Sequence, residues 1–340
     1  MAPPRSYGQR RHGPTRGAAA LAAFVFGAPI GAAAIAAEID SVTPRQTQLR
    51  DSKRRLDAWV NERLREGVRR TNELGGGCDP HELHQQVRWA ISFPFIGHLI
   101  AQQLDEADGL ERAHIRFDES IYRDLGIFDA ISVHLKDLSS VLRIGDHLVG
   151  ADKLGHFFVQ GWSYFDIAYR RGRGISEALA FGERSEETYF GLYTTGVYSY
   201  ADLAVNFEGM RFWLRLLGTV PDPLEPGYFF NRAYVTCSKR FGLFGERRWR
   251  VRRRVRLATY LNAAWDEGVN CSRYRSPEIE QPITARVREL ELRDGVDYSC
   301  PIDPDGCLQA ARRYGEHAPR LLHPRCAGAQ AERRRSGWPW

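Results

Sequence analysis

Lysine is nearly missing from this chain. Four lysines stand against 44 arginines, so arginine is the default cation and an arginine-rich stretch is first of all a solvated face. Long apolar runs are missing too. With a mean hydropathy of −0.43 and a single uncharged run near spanning length, a multi-span membrane protein is excluded. No CxxC spacing occurs, which removes the usual thiolate zinc site. There is no phosphate-binding glycine loop and no nucleophile elbow. His81 and His84 lie three apart, not in the HExxH spacing of zinc peptidases, and read as a hydrated first helical turn. No internal repeat is found.

What is present is a chain able to bury a core. Of 340 residues, 43% are hydrophobic and 26% charged, which excludes a disordered or low-complexity protein. The net charge is +6, but residues 1–36 carry four arginines and no acid, leaving 6 − 4 = +2 for the rest. Much of that remainder sits in Arg333, Arg334 and Arg335. No nucleic-acid partner is expected from so small and so terminal an excess.

The N-terminus has the three-part layout of a secretory signal peptide. Arg5, Arg10, Arg11 and Arg16 form a positive region, residues 17–37 hold no charge, and Ala34-Ile35-Ala36 fits a small-residue cleavage site. The competing reading is an uncleaved inner-membrane anchor, weakened by Pro29 and the Ala/Gly content. No cysteine stands near the cleavage site to suggest a lipoprotein, and His-Gly-Pro after Arg10-Arg11 is a poor twin-arginine signal. The six cysteines, Cys78, Cys237, Cys271, Cys300, Cys307 and Cys326, agree with export as disulfides, with 15 pairings open. Cys300 and Cys307 bracket a turn-rich loop and are candidates for local closure.

The fold expected is mainly α, a helical bundle-like core with a small irregular, disulfide-stapled C-terminal region. The domain reading is a leader at 1–36, a helical domain at 37–220, a Cys-containing region at 221–326 and a disordered tail at 327–340. Helical spacing marks 49–74, a helix from about Pro80 toward Gln103 bent at Pro94, most of 151–217, and 257–267. Arg247–Arg256 holds seven arginines in ten residues. Besides a solvated face, it reads as a contact for anionic lipid headgroups or polysaccharide at a membrane surface.

Chemistry concentrates between 150 and 210. Asp152 and His156, Glu183 and Glu187, and Asp202 and Asn206 are each four apart, hence neighbours on a helix face. Phe157, Phe158, Trp162, Tyr189, Phe190, Phe207, Phe212 and Trp213 surround them, so the carboxylates are expected to turn inward. Buried, they would need one another, Lys153 or a metal. The plain alternatives are a capping box at Ser199-x-x-Asp202, a first-turn acid at Asp152 and a core histidine at His156.

Asp152-Lys153-x-x-His156-Phe157, then Glu187, then Ser199-x-x-Asp202-Leu203-x-x-Asn206-x-x-Gly209 resembles the VanZ-like and YfiM-like bacterial families over residues 150–215. The resemblance implies association with the bacterial envelope and convergence of these polar residues. The expected site is therefore Asp152, Lys153, His156, Glu187, Asp202 and Asn206, with Glu183 in second rank. As an envelope hydrolase or transferase acting on a lipid-linked or phosphorylated component, the chain would use His156 as general acid/base and Lys153 against negative charge. A metal version would ligate Zn or Mn through His156, Glu187 and Asp202. As a non-enzymatic envelope protein binding a lipid or glycan component, it would use the same residues as a buried network fixing helix register.

Overall fold

Apolar residues at every fourth position build the first helix, α1 (Lys53–Glu73). Leu56, Val60, Leu64 and Val68 are buried on one stripe. It packs on α2 (Pro80–Ile91) where Gly67 admits close approach; a Cβ there would stand 2.6 Å from Val87 Cα. The structure, a computed structural model, describes residues 38–75, 77–91, 109–135, 138–188, 191–225, 233–239 and 245–327. The expected leader, the bend at Pro94, Tyr189, Phe190 and residues 328–340 of the tail lie outside them.

The histidines of α2 behave differently from each other. His81 is exposed, but His84 is not in the hydrated turn expected of it. It is buried, with Nδ1 2.8 Å from Pro80 O and its ring against Trp162 and Phe165. Aromatic packing outweighs its place in a first turn.

A hairpin leads into the site. Strands β1 (Arg112–Ala113), β2 (Val141–Ile144) and β3 (His147–Gly150) pair antiparallel in that order, and Gly145 turns the hairpin at φ 63°. From β3 the chain enters a continuous rod, α3. Its α-helical turns Asp152–Gly155 and Gly161–Phe165 alternate with π turns at His156–Gln160 and Asp166–Arg170. Next comes α4 (Ile175–Glu187), then a two-residue strand, β4 (Val197–Tyr198), and α5 (Tyr200–Leu217). Ser199 caps α5 by accepting from Asp202 N, and Gly218 ends it in the left-handed region at φ 59°.

The crossing of α3 on α5 is set by two glycines. A Cβ on Gly161 would lie 2.5 Å from Gly209 Cα, and one on Gly209 would lie 1.9 Å from Phe157 O. No side chain fits between the rods. Trp213 Nε1 donates to Phe158 O at 2.9 Å, supplying a carbonyl of the π turn with a partner from the facing helix. The core gathered here includes Phe157, Phe158, Phe207, Phe212 and Trp265.

The chain is mainly α-helical, with a disulfide-stapled C-terminal region of short elements. Strands β5 (Val235–Lys239) and β6 (Arg247–Val251) form a hairpin, and β7 (Arg273–Tyr274) pairs with β4. Helices α6 (Pro277–Asp294) and α7 (Pro304–Tyr314) follow, and after them a single helical turn, Ala318–Leu321. The helix expected over 257–267 is instead two single 3-10 turns, Leu257–Thr259 and Ala263–Trp265. Asn262 between them is extended and caps the second turn through its side chain, the backbone competition typical of Asn. The three disulfides are Cys78–Cys237, Cys271–Cys300 and Cys307–Cys326. Local closure of Cys300 on Cys307 does not occur. Cys307 lies in α7, where it meets Cys326, while Cys300 meets Cys271. Cys78–Cys237 and the shared core both cross the 220/221 boundary expected between domains.

Candidate functional site

The site begins where β3 hands over to α3. Gly150 leaves room for the Asp152 carboxylate, since a Cβ there would stand 2.1 Å from Asp152 Oδ1. Asp152 N donates to Ser139 Oγ at 3.1 Å, which holds the first turn. One residue on, Lys153 turns inward and is buried. Its Nζ meets Asp152 Oδ2 at 2.8 Å, Asp202 Oδ1 at 2.7 Å and Glu267 Oε1 at 2.6 Å. Burial alone would lower its pKa; the three carboxylates outweigh burial and hold the ammonium well above its ordinary value.

His156 stands one turn further along α3, at the opening of the π turn. Such turns often mark functional sites. Its Nδ1 lies 3.2 Å from Asn206 Oδ1 and its Nε2 3.2 Å from Asp202 Oδ2. The two i, i+4 pairs therefore interlock: Asp152 and His156 from α3 meet Asp202 and Asn206 from α5. Burial would push Asp202 up, but His156 and Lys153 together hold its carboxyl below the ordinary range. Ser199 caps the helix and does more. Its hydroxyl also donates to Glu267 Oε1 at 2.9 Å.

The capping alternative and the inward alternative are thus both realised. Asp202 N is in the cap, and the Asp202 side chain is in the cluster.

Glu187 and Glu183 are not in the cluster. Glu187 is exposed on the far side of α4, 4.0 Å from Arg273. Glu183 pairs through both oxygens with Arg320, at 2.7 and 2.6 Å. The acid that α4 turns inward is Glu186, one residue earlier, on the buried stripe with Ala178 and Gly182. Its Oε2 accepts from Ser199 N at 3.3 Å.

Local spacing does not reveal three further acids. They are Glu38, Glu186 and Glu267, all buried. Burial raises the pKa of each. Glu267 and Asp202 add to the rise at Glu38, and Asp202 and Glu38 add to it at Glu186. At Glu267 the rise survives the opposing charge of Lys153. For Glu186 a signal existed: Ala178, Gly182 and Glu186 are spaced i, i+4, i+8. For Glu267 none did, because it follows two isolated 3-10 turns with no periodicity. A groove of about 370 Å³, walled in part by Tyr122, Ser272 and Tyr274, includes Glu267 in its lining.

Five carboxyls thus face one lysine and one histidine, an excess of acid that protons or a cation must balance. Asp152, His156 and Asp202 each offer a ligand atom within 4.8 Å of the others. Lys153 takes Asp152 Oδ2 and Asp202 Oδ1, leaving Asp152 Oδ1, which is buried and has no hydrogen-bond partner, and Asp202 Oδ2 beside His156. A Zn or Mn ion with bonds of about 2.1 Å holds its ligands about 3–3.5 Å apart, so a side-chain shift of about an ångström closes the triad. Asn206 on the second ring nitrogen orients His156 as an outer-shell partner does. The expected ligand set of His156, Glu187 and Asp202 changes in one member: Asp152 stands where Glu187 was placed.

Exposure grades across the cluster. Asp152, His156 and Asp202 side chains keep 12%, 9% and 7%, against 1% for Lys153 and 4% for Glu267. The ligand-bearing face is the side nearer solvent, and the lysine is the inner side.

No protein-family model matches this sequence, and no curated protein or solved structure is significantly similar to it. No helix among the described residues is long and apolar enough to cross a membrane. All six cysteines are paired, the chemistry of an oxidising compartment.

Proposed function

We propose that this chain is an exported bacterial envelope enzyme, a hydrolase or transferase acting on a phosphorylated or lipid-linked envelope component. Its reacting centre is Asp152, His156 and Asp202, with a divalent Zn or Mn ion as the cofactor. The observation that carries the reading is the two-sided use of the carboxylates: Lys153 grips Asp152 Oδ2 and Asp202 Oδ1, while His156 meets Asp202 Oδ2 and Asp152 Oδ1 is left without a hydrogen-bond partner. An ion there would polarise a phosphoryl or acyl oxygen and acidify a bound water. Lys153 fixes the two aspartates and offsets their charge. Asn206 fixes the His156 ring. Glu186, whose carboxyl burial and the charge of Asp202 push up, borders the site, and Glu267 shares Lys153 with the two aspartates. The paired cysteines and the leader-like N-terminus support export. The resemblance to VanZ-like and YfiM-like families supports the envelope setting.

The burial of Lys153 favours a second reading, in which the cluster is a non-enzymatic network that fixes the crossing of α3 on α5. One experiment separates the two. The protein is loaded with Zn or Mn and assayed on phosphomonoesters and lipid-linked diphosphates, beside His156→Gln. The enzyme reading expects turnover that falls at least about a hundredfold in the variant, with melting little changed. Loaded protein that turns over none of these substrates, with a variant that melts far below the parent, supports the network instead.

A further inference from the structure

The arginine run is not one surface. Arg247–Val251 is strand β6, with Trp249 buried between exposed Arg247 and Arg250. The residues after it leave the sheet and curl around a recess of about 550 Å³, lined by Arg215, Tyr234, Arg253, Arg254, Arg256 and Thr259. Their backbone is pinned. Arg252 N and Arg253 N both donate to Tyr234 O, at 2.7 and 3.3 Å. Val255 is held from both sides by the Asn61 amide of α1, at 2.8 Å each way. The guanidinium groups are therefore presented from a fixed ledge rather than a loose tail.

Arg253, Arg254 and Arg256 are exposed, and among the described residues none of the three is in an ion pair. Arg215, at the floor, is buried and already answered by Asp222 at 2.5 Å and Glu225 at 2.8 Å. The nearby acid is Asp57, which accepts from Leu257 N and feels the charge of Arg256. Arg215 also lies 13 residues beyond Asp202 on α5, about 20 Å at 1.5 Å per residue. The recess is a different place from the acidic cluster, and its occupant is independent of any cation held by Asp152, His156 and Asp202.

We infer that this recess binds a phosphate-bearing anion, either the headgroup of an anionic lipid or a soluble phosphate compound. Guanidinium forks match pairs of phosphate oxygens, and Arg253 and Arg254, with Arg256 offset only in part by Asp57, give a concave wall an excess of positive charge that suits an anion. The volume lies in the range of small-molecule sites and exceeds what one phosphate fills.

The test uses the whole mature protein and two exposed-arginine variants. One is Arg253→Ser with Arg254→Ser and Arg256→Ser; the control is Arg247→Ser with Arg250→Ser on β6. Pyrophosphate is titrated by calorimetry. Vesicles of phosphatidylcholine with about one-third phosphatidylglycerol, and vesicles of phosphatidylcholine alone, are floated with the protein. The triple variant should bind on the order of a hundredfold more weakly, at about tenfold or less per arginine, while the control stays near the parent. Capture by the anionic vesicles alone assigns a lipid headgroup; pyrophosphate binding in solution assigns a soluble phosphate. Absence of both, or equal losses in triple variant and control, overturns the inference.

Discussion

Lys153 and Glu267, 114 residues apart, are joined by a buried 2.6 Å ion pair. The pair ties the irregular C-terminal region to the helices that carry the motif. Its consequence is that the site cannot be complete in residues 150–215. Removing the lysine strands two buried carboxylates, Asp202 and Glu267, and the half-buried Asp152. Lys153→Met should cost on the order of 3–5 kcal/mol in urea unfolding, because breaking one side of a buried ion cluster leaves charge uncompensated. A loss below about 1 kcal/mol would show that the cluster is already neutral without it.

Gly209 sets the distance between α3 and α5. A Cβ at this position would fall 1.9 Å from Phe157 O, a backbone atom that cannot swing away. Gly209→Ala should destabilise by about 1–3 kcal/mol or more, in spite of the higher helix propensity of alanine. It should also pull His156 from Asn206, visible as a changed His156 imidazole signal by NMR. A variant as stable as the parent would contradict the close crossing.

The pH dependence has a definite sign. Glu38, Glu186 and Glu267 are raised, with burial the largest cause in each. In the unfolded chain such groups titrate near about 4.3. Between that value and their native values the folded state holds more protons, so stability falls as pH rises. Asp202 works the other way. Burial would raise it, but His156 and Lys153 lower it, so its contribution is present above about 3.9 and lost as pH falls through its native value. Melting in metal-free buffer should therefore improve as pH drops from about 8 toward 5, then worsen below about 4. Glu186→Gln should flatten the upper limb. A Tm that climbs steadily from pH 5 to 8 in both proteins would contradict the raised carboxyls.

The disulfides differ in the loops they close. Cys78–Cys237 spans a separation of 159 residues and Cys307–Cys326 one of 19. In the loop-entropy picture these contribute about 5 and about 3 kcal/mol. Cys78→Ser with Cys237→Ser should thus lower stability more than Cys307→Ser with Cys326→Ser. The reverse order in denaturant unfolding would show that local packing, not loop closure, governs them.

How far the sequence carried depends on the range of the interaction. Asp152, His156, Asp202 and Asn206 were legible because a spacing of four residues is a local fact about helices. Their meeting depends on the close crossing that Gly161 and Gly209 allow. Glu187 was placed for Glu186 because adjacent glutamates differ by 100° of helical rotation, and only tertiary packing says which one faces in. The buried Ala178 and Gly182 stripe decides it for Glu186. Glu267 and Glu38 were illegible, since each lies in extended or single-turn backbone where no period points inward. The helical class and the disulfide-bearing C-terminus followed from composition and pattern. The three pairings did not, because they depend on which segments the core brings together.

The most direct test of the central claim is the metal content of the protein, purified without chelator, by mass spectrometry. Asp152→Asn, His156→Ala and Glu187→Ala are measured beside it. The account predicts about one Zn or Mn per chain in the parent and in Glu187→Ala, with near-complete loss in Asp152→Asn and His156→Ala. No bound metal in the parent after Zn or Mn loading, or metal retained in Asp152→Asn and His156→Ala, would contradict it.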